Sequence, residues 1–224
     1  MLLALGGTLF TYFVRGGPMM WPLLGLSVLG LIYIIERAIS YRRIQGDTAD
    51  IFSKSRECLL GGDLRSSVEV CESFDHPVAT TLKSGLLRFG KSSDEIEKAM
   101  ESVALHEVSK LEKGLWIMAT VANVAPLVGF LGTVSGMITS FEALAEVGLG
   151  NPQAVAGGIS EALITTATGL AVALPVQAAY NYFNHRVATF ALDMETSSSM
   201  LLETFSEIED QTEKPSTTES VSSQ

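Results

Sequence analysis

One residue stands out as a candidate for proton chemistry, the carboxylic acid Glu161. It is the only charged residue in the apolar segment 159–183. A charged side chain at membrane depth costs roughly 2.5–3.5 kcal/mol on insertion scales, so it persists where it faces water, a partner or a pore. Burial favours the neutral form of a carboxyl group, and such a group can take up and release protons. The alternative interpretation is a structural glutamate bonded to a neighbouring helix.

Four threonines accompany this carboxylate. In a helix, Thr165 and Thr168 follow Glu161 at i+4 and i+7 and share its face, whereas Thr166 is rotated further round. Thr133 lies midway through another apolar segment. Hydroxyl groups can hold water or relay protons in a narrow pore, but they more often bond back to a carbonyl of their own helix. From the residue types alone, each threonine is therefore interpreted as structural.

Three long apolar segments must position these side chains. Segments 19–35 and 115–141 carry no charge, and segment 159–183 carries only Glu161. A bilayer core requires about 20 mostly apolar residues in helical form. The pattern therefore predicts an all-α membrane protein with three transmembrane helices.

The second and third of these segments are rich in small residues and each contains a proline. Small side chains allow membrane helices to approach closely, and proline leaves carbonyl groups that neighbouring helices or water must satisfy. We predict close helix packing at these positions: Gly129, Gly132, Gly136, Gly169, Pro126 and Pro175.

Two of the three spans are predicted to extend beyond the membrane into a cytoplasmic helical bundle. Because no breaker separates the amphipathic stretch after Ser93 from the second apolar segment, we expect one helix from about Asp94 to Leu144, with Ser93 as its N-cap. The third span continues as an apolar stripe that we expect to pack on the projecting part of the second. The stripe consists of Phe183, Val187, Phe190, Met194, Leu201, Phe205 and Ile208.

The distribution of basic residues predicts the orientation. Most of the 15 Lys and Arg residues lie between Arg37 and Lys113, and segment 142–157 has none. The positive-inside rule places the basic region and the C-terminus in the cytoplasm, and the N-terminus and segment 142–157 outside.

No feature of the sequence suggests an enzyme. The net charge is −10 and no basic stripe favours nucleic acid. His106-Glu107 begins a zinc-protease motif, but Lys110 stands where the second histidine would be. Cys58 and Cys71 are interpreted as free thiols of a reducing compartment. We therefore predict no cofactor, no metal and no catalytic residue.

The apolar segments also carry motifs of a known family. Residues 125–137, APLVGFLGTVSGM, resemble the second-span motif of the ExbB/TolQ/MotA proton-channel family. Residues 158–163, GISEAL, resemble its third-span motif, and residues 16–37 resemble its first span more weakly. The third-span resemblance continues through Thr166, Gly169, Leu170, Pro175, Tyr180 and Asn181.

This resemblance implies a function and partners. It implies an ExbB-like subunit of a motor in the bacterial inner membrane, driven by the proton motive force, with Glu161, Thr133 and Thr166 along the proton pathway. Thr165 remains an alternative pore residue, since helix geometry places it on the face of Glu161. The implied assembly is a homopentamer around an ExbD/TolR-like single-span subunit, which acts on a TonB-like or TolA-like protein that spans the periplasm.

The resulting organisation has eight segments, and alternatives for the function remain open. The alternatives are a TolQ-like subunit that maintains the envelope, a sodium channel, or a scaffold that conducts no ions. The predicted segments are a periplasmic interfacial segment 1–18, span 19–37, a cytoplasmic helical region 38–113, span 114–141, a periplasmic loop 142–157, span 158–183, a cytoplasmic helix 184–210 and a disordered acidic tail 211–224.

Overall fold

The computed structural model describes residues 10–44, 48–147 and 152–213, and throughout these ranges every regular element is a helix. The helices are α1 (Met20–Arg43), α2 (Thr48–Leu60), α3 (Leu64–Glu72), α4 (Pro77–Leu86), α5 (Ser93–Glu112), α6 (Leu115–Val147) and α7 (Pro152–Glu213). Residues 10–15 are also helical. Three of the helices, α1, α6 and α7, are long and apolar enough to cross a membrane. The predicted all-α class with three spans is confirmed.

The chain divides into two compact units. The span unit comprises Met1–Ala38 and Gly114–Phe183, and the bundle unit comprises Ile39–Lys113 and Asn184–Gln224. Helix α7 contributes residues to both units, as does α1, whereas α6 lies in the span unit and α5 in the bundle unit.

The expectation of one continuous helix from Asp94 to Leu144 is wrong. Helix α5 ends at Glu112, its C-cap Lys113 has non-helical ψ of 123°, and Gly114 follows with φ of +83°. Glycine adopts this left-handed conformation without a steric penalty, which makes it the usual residue after a helix C-terminus. The N-cap is also shifted by one residue, because the side chain of Ser92 accepts the 3.4 Å hydrogen bond from the backbone N–H of Glu95.

Most of the segment predicted as the loop 142–157 is helical. Helix α6 continues to Val147 and α7 begins at Pro152. Residues 148–151 of that segment lie outside the described residues, as do residues 1–9 of the predicted interfacial segment and 214–224 of the predicted tail. Helix α7 also runs three residues past position 210, to Glu213.

Part of the predicted stripe lies in an apolar core of the bundle unit. Met194, Leu201 and Phe205 of α7 are buried in one cluster with Ile96 and Met100 of α5. This confirms the expected packing on the helix that follows Ser92 for the part of the stripe from Met194 onward. Buried residues of α2, α3 and α4 complete the cluster: Ile51, Leu59, Cys71, Val78, Ala79, Leu82 and Leu86.

Candidate functional site

The candidate site lies in the span unit, where α6 and α7 pack closely. A methyl group at Gly136 would lie 2.7 Å from the carbonyl oxygen of Gly158 and 3.0 Å from the β-carbon of Ala162. A methyl group at Gly169 would lie 2.6 Å from the carbonyl oxygen of Ala125. Such distances are too short for any side chain, so the backbones of the two helices are in direct contact. We call this contact the α6–α7 seam.

The middle of the seam is occupied by Thr165. A methyl group at Gly132 would lie 2.6 Å from the β-carbon of Thr165, so this threonine fills the space that the glycine leaves open. Thr165 is only 1% exposed, and its hydroxyl donates a hydrogen bond to the carbonyl oxygen of Glu161 in its own helix. In this chain its side chain therefore packs between the helices. The hydroxyl of Thr168 likewise donates a 2.8 Å hydrogen bond to the carbonyl oxygen of Ile164 in its own helix.

Thr166 makes a different kind of contact. Its hydroxyl donates a 3.0 Å hydrogen bond to the carbonyl oxygen of Gly129, which lies on the other helix of the seam. A methyl group at Gly129 would lie 3.1 Å from the Cα of Thr166, so the absence of a side chain at Gly129 permits this approach. Thr166 thus bonds α7 to α6.

Thr133 lies on α6 one residue beyond the seam glycine Gly132. The hydroxyl of Thr133 is half-buried and donates a 2.6 Å hydrogen bond to the carbonyl oxygen of Phe130. Thr166 and Thr133 therefore bind the carbonyl groups of two consecutive residues of α6, Gly129 and Phe130. As an acceptor, the Thr133 oxygen retains lone-pair capacity for water.

Glu161 lies in the third turn of α7 and is half-buried. Its carboxylate lies directly against the Cα of Gly17, in the turn that precedes α1. Among the residues that the structure describes, none donates a hydrogen bond to the carboxylate or pairs with it as a cation. The structure does not bring this carboxylate into hydrogen-bonding contact with Thr133 or Thr166.

Both predicted helix-packing prolines lie inside helices. Pro126 is in α6 and Pro175 is in α7. Each lacks the N–H that would bond to the carbonyl group four residues earlier. Near Pro126, the side-chain amide of Asn123 donates a 2.8 Å hydrogen bond to the carbonyl oxygen of Ala119. This bond does not satisfy the carbonyl group that Pro126 leaves without an N–H partner, which is that of Ala122, four residues before the proline.

Sequence reasoning missed the contribution of Gly17. The available signal was the Gly16-Gly17 pair directly before Pro18, two residues ahead of α1, since glycine in such a turn often has positive φ. The pairing of Gly17 with a carboxylate far along the chain had no local signal. Among the residues that the structure describes, no three or more His, Cys, Asp or Glu side chains form a cluster that could hold a metal ion.

Comparison with known proteins identifies the family. Residues 73–196, more than half of the chain, match the MotA/TolQ/ExbB proton channel family. A biopolymer transport protein ExbB homolog of Methanothermobacter thermautotrophicus is 31% identical over 182 residues, covering 81% of this chain and 64% of the relative. The ExbB-like 3 biopolymer transport protein of a Synechocystis strain is 31% identical over 192 residues, covering 84% of this chain and 91% of the relative.

A relative from a second branch matches a shorter segment. The Tol-Pal system protein TolQ of Pseudomonas aeruginosa is 45% identical over 91 residues, covering 41% of this chain and 39% of the relative. The chain thus spans less than two thirds of the length of the Methanothermobacter and Pseudomonas relatives. The matched region contains the α6–α7 seam, Thr133, Glu161 and Thr166. The three apolar helices and these matches together show that the chain is a multi-pass membrane protein, of channel type rather than an enzyme, that belongs to the MotA/TolQ/ExbB proton channel family.

Proposed function

We propose that this chain is the proton-channel subunit of an inner-membrane motor that uses the proton motive force to energise transport at the outer membrane. The observation that carries the proposal is the position of Glu161. Its carboxylate lies in an apolar helix and has neither a hydrogen-bond donor nor a counter-charge among the described residues. A structural glutamate would be expected to have such a partner, because an unpaired charge in a membrane span is costly.

The proposed mechanism uses changes in the protonation state of this carboxylate. A membrane potential supplies about 2.3 kcal/mol per elementary charge per 100 mV. Glu161 is the only acidic residue in segments 115–141 and 159–183, so neither segment offers a substitute. In this proposal Glu161 sets the local field and hydration, Thr133 and Thr166 line the same pathway, and an aspartate of the partner subunit carries the main proton step.

The proposed assembly is a homopentamer that encloses an ExbD/TolR-like single-span subunit. Large apolar side chains on α6 are exposed, including Leu127 (65%), Phe130 (64%) and Phe141 (62%). Such surfaces suit lipid and further copies of the chain. The work would be delivered to a TonB-like protein. Since the relatives include both biopolymer transport proteins and a Tol-Pal protein, a TolA-like recipient is the alternative.

The proposed orientation follows the basic residues. The region from Arg37 to Lys113 is placed in the cytoplasm with the C-terminus, and residues 142–157 are placed in the periplasm with the N-terminus. The bundle unit contains most of the Lys and Arg residues, and several form ion pairs on its surface, such as Arg65 with Glu69 at 3.1 Å. This orientation directs the unit's charged surface toward water.

The experiment that tests the function compares wild type with Glu161→Gln. The tagged chain is purified from its native membranes with its co-purifying subunits and reconstituted into liposomes that contain a pH-sensitive dye. A potassium diffusion potential set with valinomycin drives the flux. Glu161→Gln preserves shape and removes the titrating group, so we expect proton flux to fall to background. Glu146→Gln is the matched control, because Glu146 lies near the end of α6 with an exposed side chain, and it should conduct as wild type.

Three measurements separate the alternatives. Proton flux at the wild-type rate in Glu161→Gln would refute the proposed role and favour a scaffold. Flux that requires Na⁺, measured with a sodium indicator, would indicate a sodium channel. Native mass spectrometry of the purified complex tests the pentamer and the single-span subunit, and a stable monomer would contradict the proposed assembly.

A further inference from the structure

The turn before α1 has a defined backbone conformation. Gly17 has φ of +70°, a left-handed conformation that residues other than glycine rarely adopt. Backbone hydrogen bonds connect the turn to the helical residues on both sides of it. The N–H of Gly16 donates to the carbonyl oxygen of Tyr12 at 2.9 Å, and the N–H of Met20 donates to that of Gly17 at 3.2 Å. The position of Gly17 is therefore fixed by the helical residues before it and by the first turn of α1.

This turn lies on the face of α7 that carries Glu161. A β-carbon at Gly17 would overlap the Oε1 atom of Glu161 and would lie 2.6 Å from its Cδ and 3.2 Å from its Cγ. The neighbouring Gly16 faces the next turn of the same helix, since a β-carbon there would lie 3.2 Å from the Cγ2 of Ile164. The carboxylate therefore occupies the volume that any side chain at Gly17 would require.

Steric contact, rather than polar bonding, restricts the carboxylate in this place. Within the described ranges, no donor and no cation binds the Glu161 side chain. The N–H of Gly17 is directed elsewhere, to the carbonyl oxygen of Val14 at 3.4 Å. The contact with Gly17 involves no hydrogen-bond donor, so it is equally open to the charged and to the neutral carboxyl group. A carboxyl group that must gain and lose a proton benefits from such a contact, because neither state is tied to a fixed donor.

We propose that Gly17 is a positioning residue for Glu161. Its missing side chain leaves the space in which the carboxylate lies, and its turn holds the start of the first span against the proton-exchanging group on the third. This inference rests on the proposed function of Glu161. It predicts that a single methyl group at Gly17 displaces the carboxylate from the proton pathway while the helices remain intact.

A matched control exists for the backbone strain. Gly62 has φ of +80° in the turn between α2 and α3, and no atom lies within 4 Å of a β-carbon there. Gly62→Ala therefore introduces the same left-handed alanine as Gly17→Ala, but without a steric conflict. An effect that Gly17→Ala has beyond Gly62→Ala therefore arises at the Gly17 turn, either from the contact with Glu161 or from the fold of the turn itself, and variants of Glu161 separate these two causes.

The first readout is the accessibility of the carboxyl group in the purified, assembled complex. Dicyclohexylcarbodiimide reacts with protonated carboxyl groups in apolar sites. Peptide mass spectrometry measures the fraction of Glu161 that carries the adduct. The second readout is proton flux in liposomes. Displacing a reacting group by about 1 Å can lower a rate roughly 100-fold. We expect Gly17→Ala to reduce the flux at least tenfold and to change the labelling rate of Glu161, whereas Gly62→Ala should leave both at wild-type values.

Rescue by a shorter carboxylate separates positioning from general damage. Glu161→Asp withdraws the carboxylate by one methylene from the added methyl group. Glu161→Asp alone is therefore the reference: the added methyl group no longer meets the carboxylate in this background, so Gly17→Ala/Glu161→Asp should match Glu161→Asp in flux and labelling. If Gly17→Ala fails to assemble, Gly17→Asn takes its place, because asparagine tolerates positive φ and still brings a β-carbon to the same position.

The outcomes distinguish this proposal from the proposed function. If Glu161→Gln abolishes the flux while Gly17→Ala matches Gly62→Ala in flux and labelling, positioning by Gly17 is refuted and the function of Glu161 stands. If Glu161→Gln conducts normally, the function of the carboxylate itself is refuted. If Gly17→Ala lowers the flux by the same factor in the Glu161→Asp background as in wild type, the defect belongs to the fold of the turn and the proposal is overturned.

Discussion

The hydroxyl of Thr166 donates a 3.0 Å hydrogen bond to the carbonyl oxygen of Gly129, and this bond joins α7 to α6 at the centre of the α6–α7 seam. Thr168, two residues along, bonds only to Ile164 of its own helix. Two threonines of one span thus have different roles that their sequence context does not distinguish. The difference can be measured, because valine replaces threonine at nearly constant volume.

Thr166→Val should destabilise the protein more than Thr168→Val. Interhelical hydrogen bonds in membrane proteins contribute about 0.6 kcal/mol on average and at most about 1.7 kcal/mol, so a loss in this range is expected for Thr166→Val. Thr166→Ser keeps the hydroxyl and should lie close to wild type. The midpoint of unfolding of the purified protein in detergent ranks the stability of the three variants. Equal loss in Thr166→Val and Thr168→Val would show that the bond across the seam contributes nothing.

Gly169→Ala should weaken the seam. Its methyl group would lie 2.6 Å from the carbonyl oxygen of Ala125 and 3.1 Å from the Cα of Gly129, and backbone atoms cannot move aside as a side chain does. Overpacking of this kind costs about 1–3 kcal/mol. Gly157→Ala is the control on the same helix, where a β-carbon meets nothing within 4 Å. Removing this helical glycine should stabilise by up to about 1 kcal/mol. The same unfolding assay measures both variants, and a neutral Gly169→Ala would contradict the described contact.

The parts of the fold that could be predicted from the sequence are those encoded by local periodicity. The apolar stripe through Met194 and Leu201 repeats at helical spacing, and the structure buries it in the bundle core as expected. The break at Gly114 was not predicted, because a glycine within a helical pattern is often tolerated. Gly114 also contacts a residue that is distant in the sequence. Tyr33 of α1 packs against it, and the Cδ1 atom of Tyr33 lies 3.1 Å from where a β-carbon of residue 114 would be.

The residues proposed for the candidate site can be named from the sequence, but their contacts cannot. The helical wheel placed Thr165 on the face of Glu161, but only the register of α6 against α7 shows that this face meets Gly132 and is buried. The contact of Gly17 with Glu161 likewise joins residues separated by most of the chain. Such contacts depend on the packing of whole helices, which the spacing within one helix does not encode.

Cys71 should resist alkylation in the folded protein, whereas Cys58 should react. Cys71 is buried and Cys58 is half-buried. Burial raises the pKa of the Cys71 thiol, an effect that a hydrogen bond with Ser55 and the charge of Lys83 partly offset. The thiolate is the reactive form, so a raised pKa slows the reaction with iodoacetamide at a given pH.

The same pKa shift also predicts a pH dependence of stability. Since the folded thiol holds its proton to higher pH than the unfolded one, stability should fall as pH rises from about 8.5 through the raised pKa. This loss should be absent from Cys71→Ser.

Mass spectrometry of the alkylated peptides, with Cys58→Ser as the partner variant, measures how fast each cysteine reacts with iodoacetamide. Equal alkylation rates at both cysteines would contradict the burial of Cys71.

Cysteine labelling in whole cells should report the proposed orientation. In a background with Cys58→Ser and Cys71→Ser, Glu146→Cys at the end of α6 should react with an impermeant maleimide applied from the periplasmic side. Arg65→Cys should not react until the cells are lysed, because its region carries the basic residues that the positive-inside rule retains in the cytoplasm. Both native side chains are exposed, that of Arg65 to 90%. Labelling of Arg65→Cys in intact cells would reverse the orientation.

Thr133→Val should lower proton flux while leaving the assembly intact. The Thr133 hydroxyl donates to the carbonyl oxygen of Phe130, so its oxygen can still accept a hydrogen bond from a water molecule in the pathway. Valine removes that acceptor at nearly the same volume. Losing a hydrogen bond of about 1 kcal/mol corresponds to roughly a fivefold change in rate.

Thr133→Ser retains the hydroxyl and should therefore lose less proton flux than Thr133→Val. Thr139→Val serves as the control. Thr139 also lies on α6, and its hydroxyl donates a 2.8 Å hydrogen bond to the carbonyl oxygen of Ser135 in the same helix. Unlike Thr133, it lies outside the proposed pathway. Flux is measured in the liposome assay with the potassium diffusion potential. If Thr133→Val conducts at the rate of Thr139→Val, the Thr133 hydroxyl does not take part in conduction, and the pathway must be assigned to Glu161 and Thr166 without it.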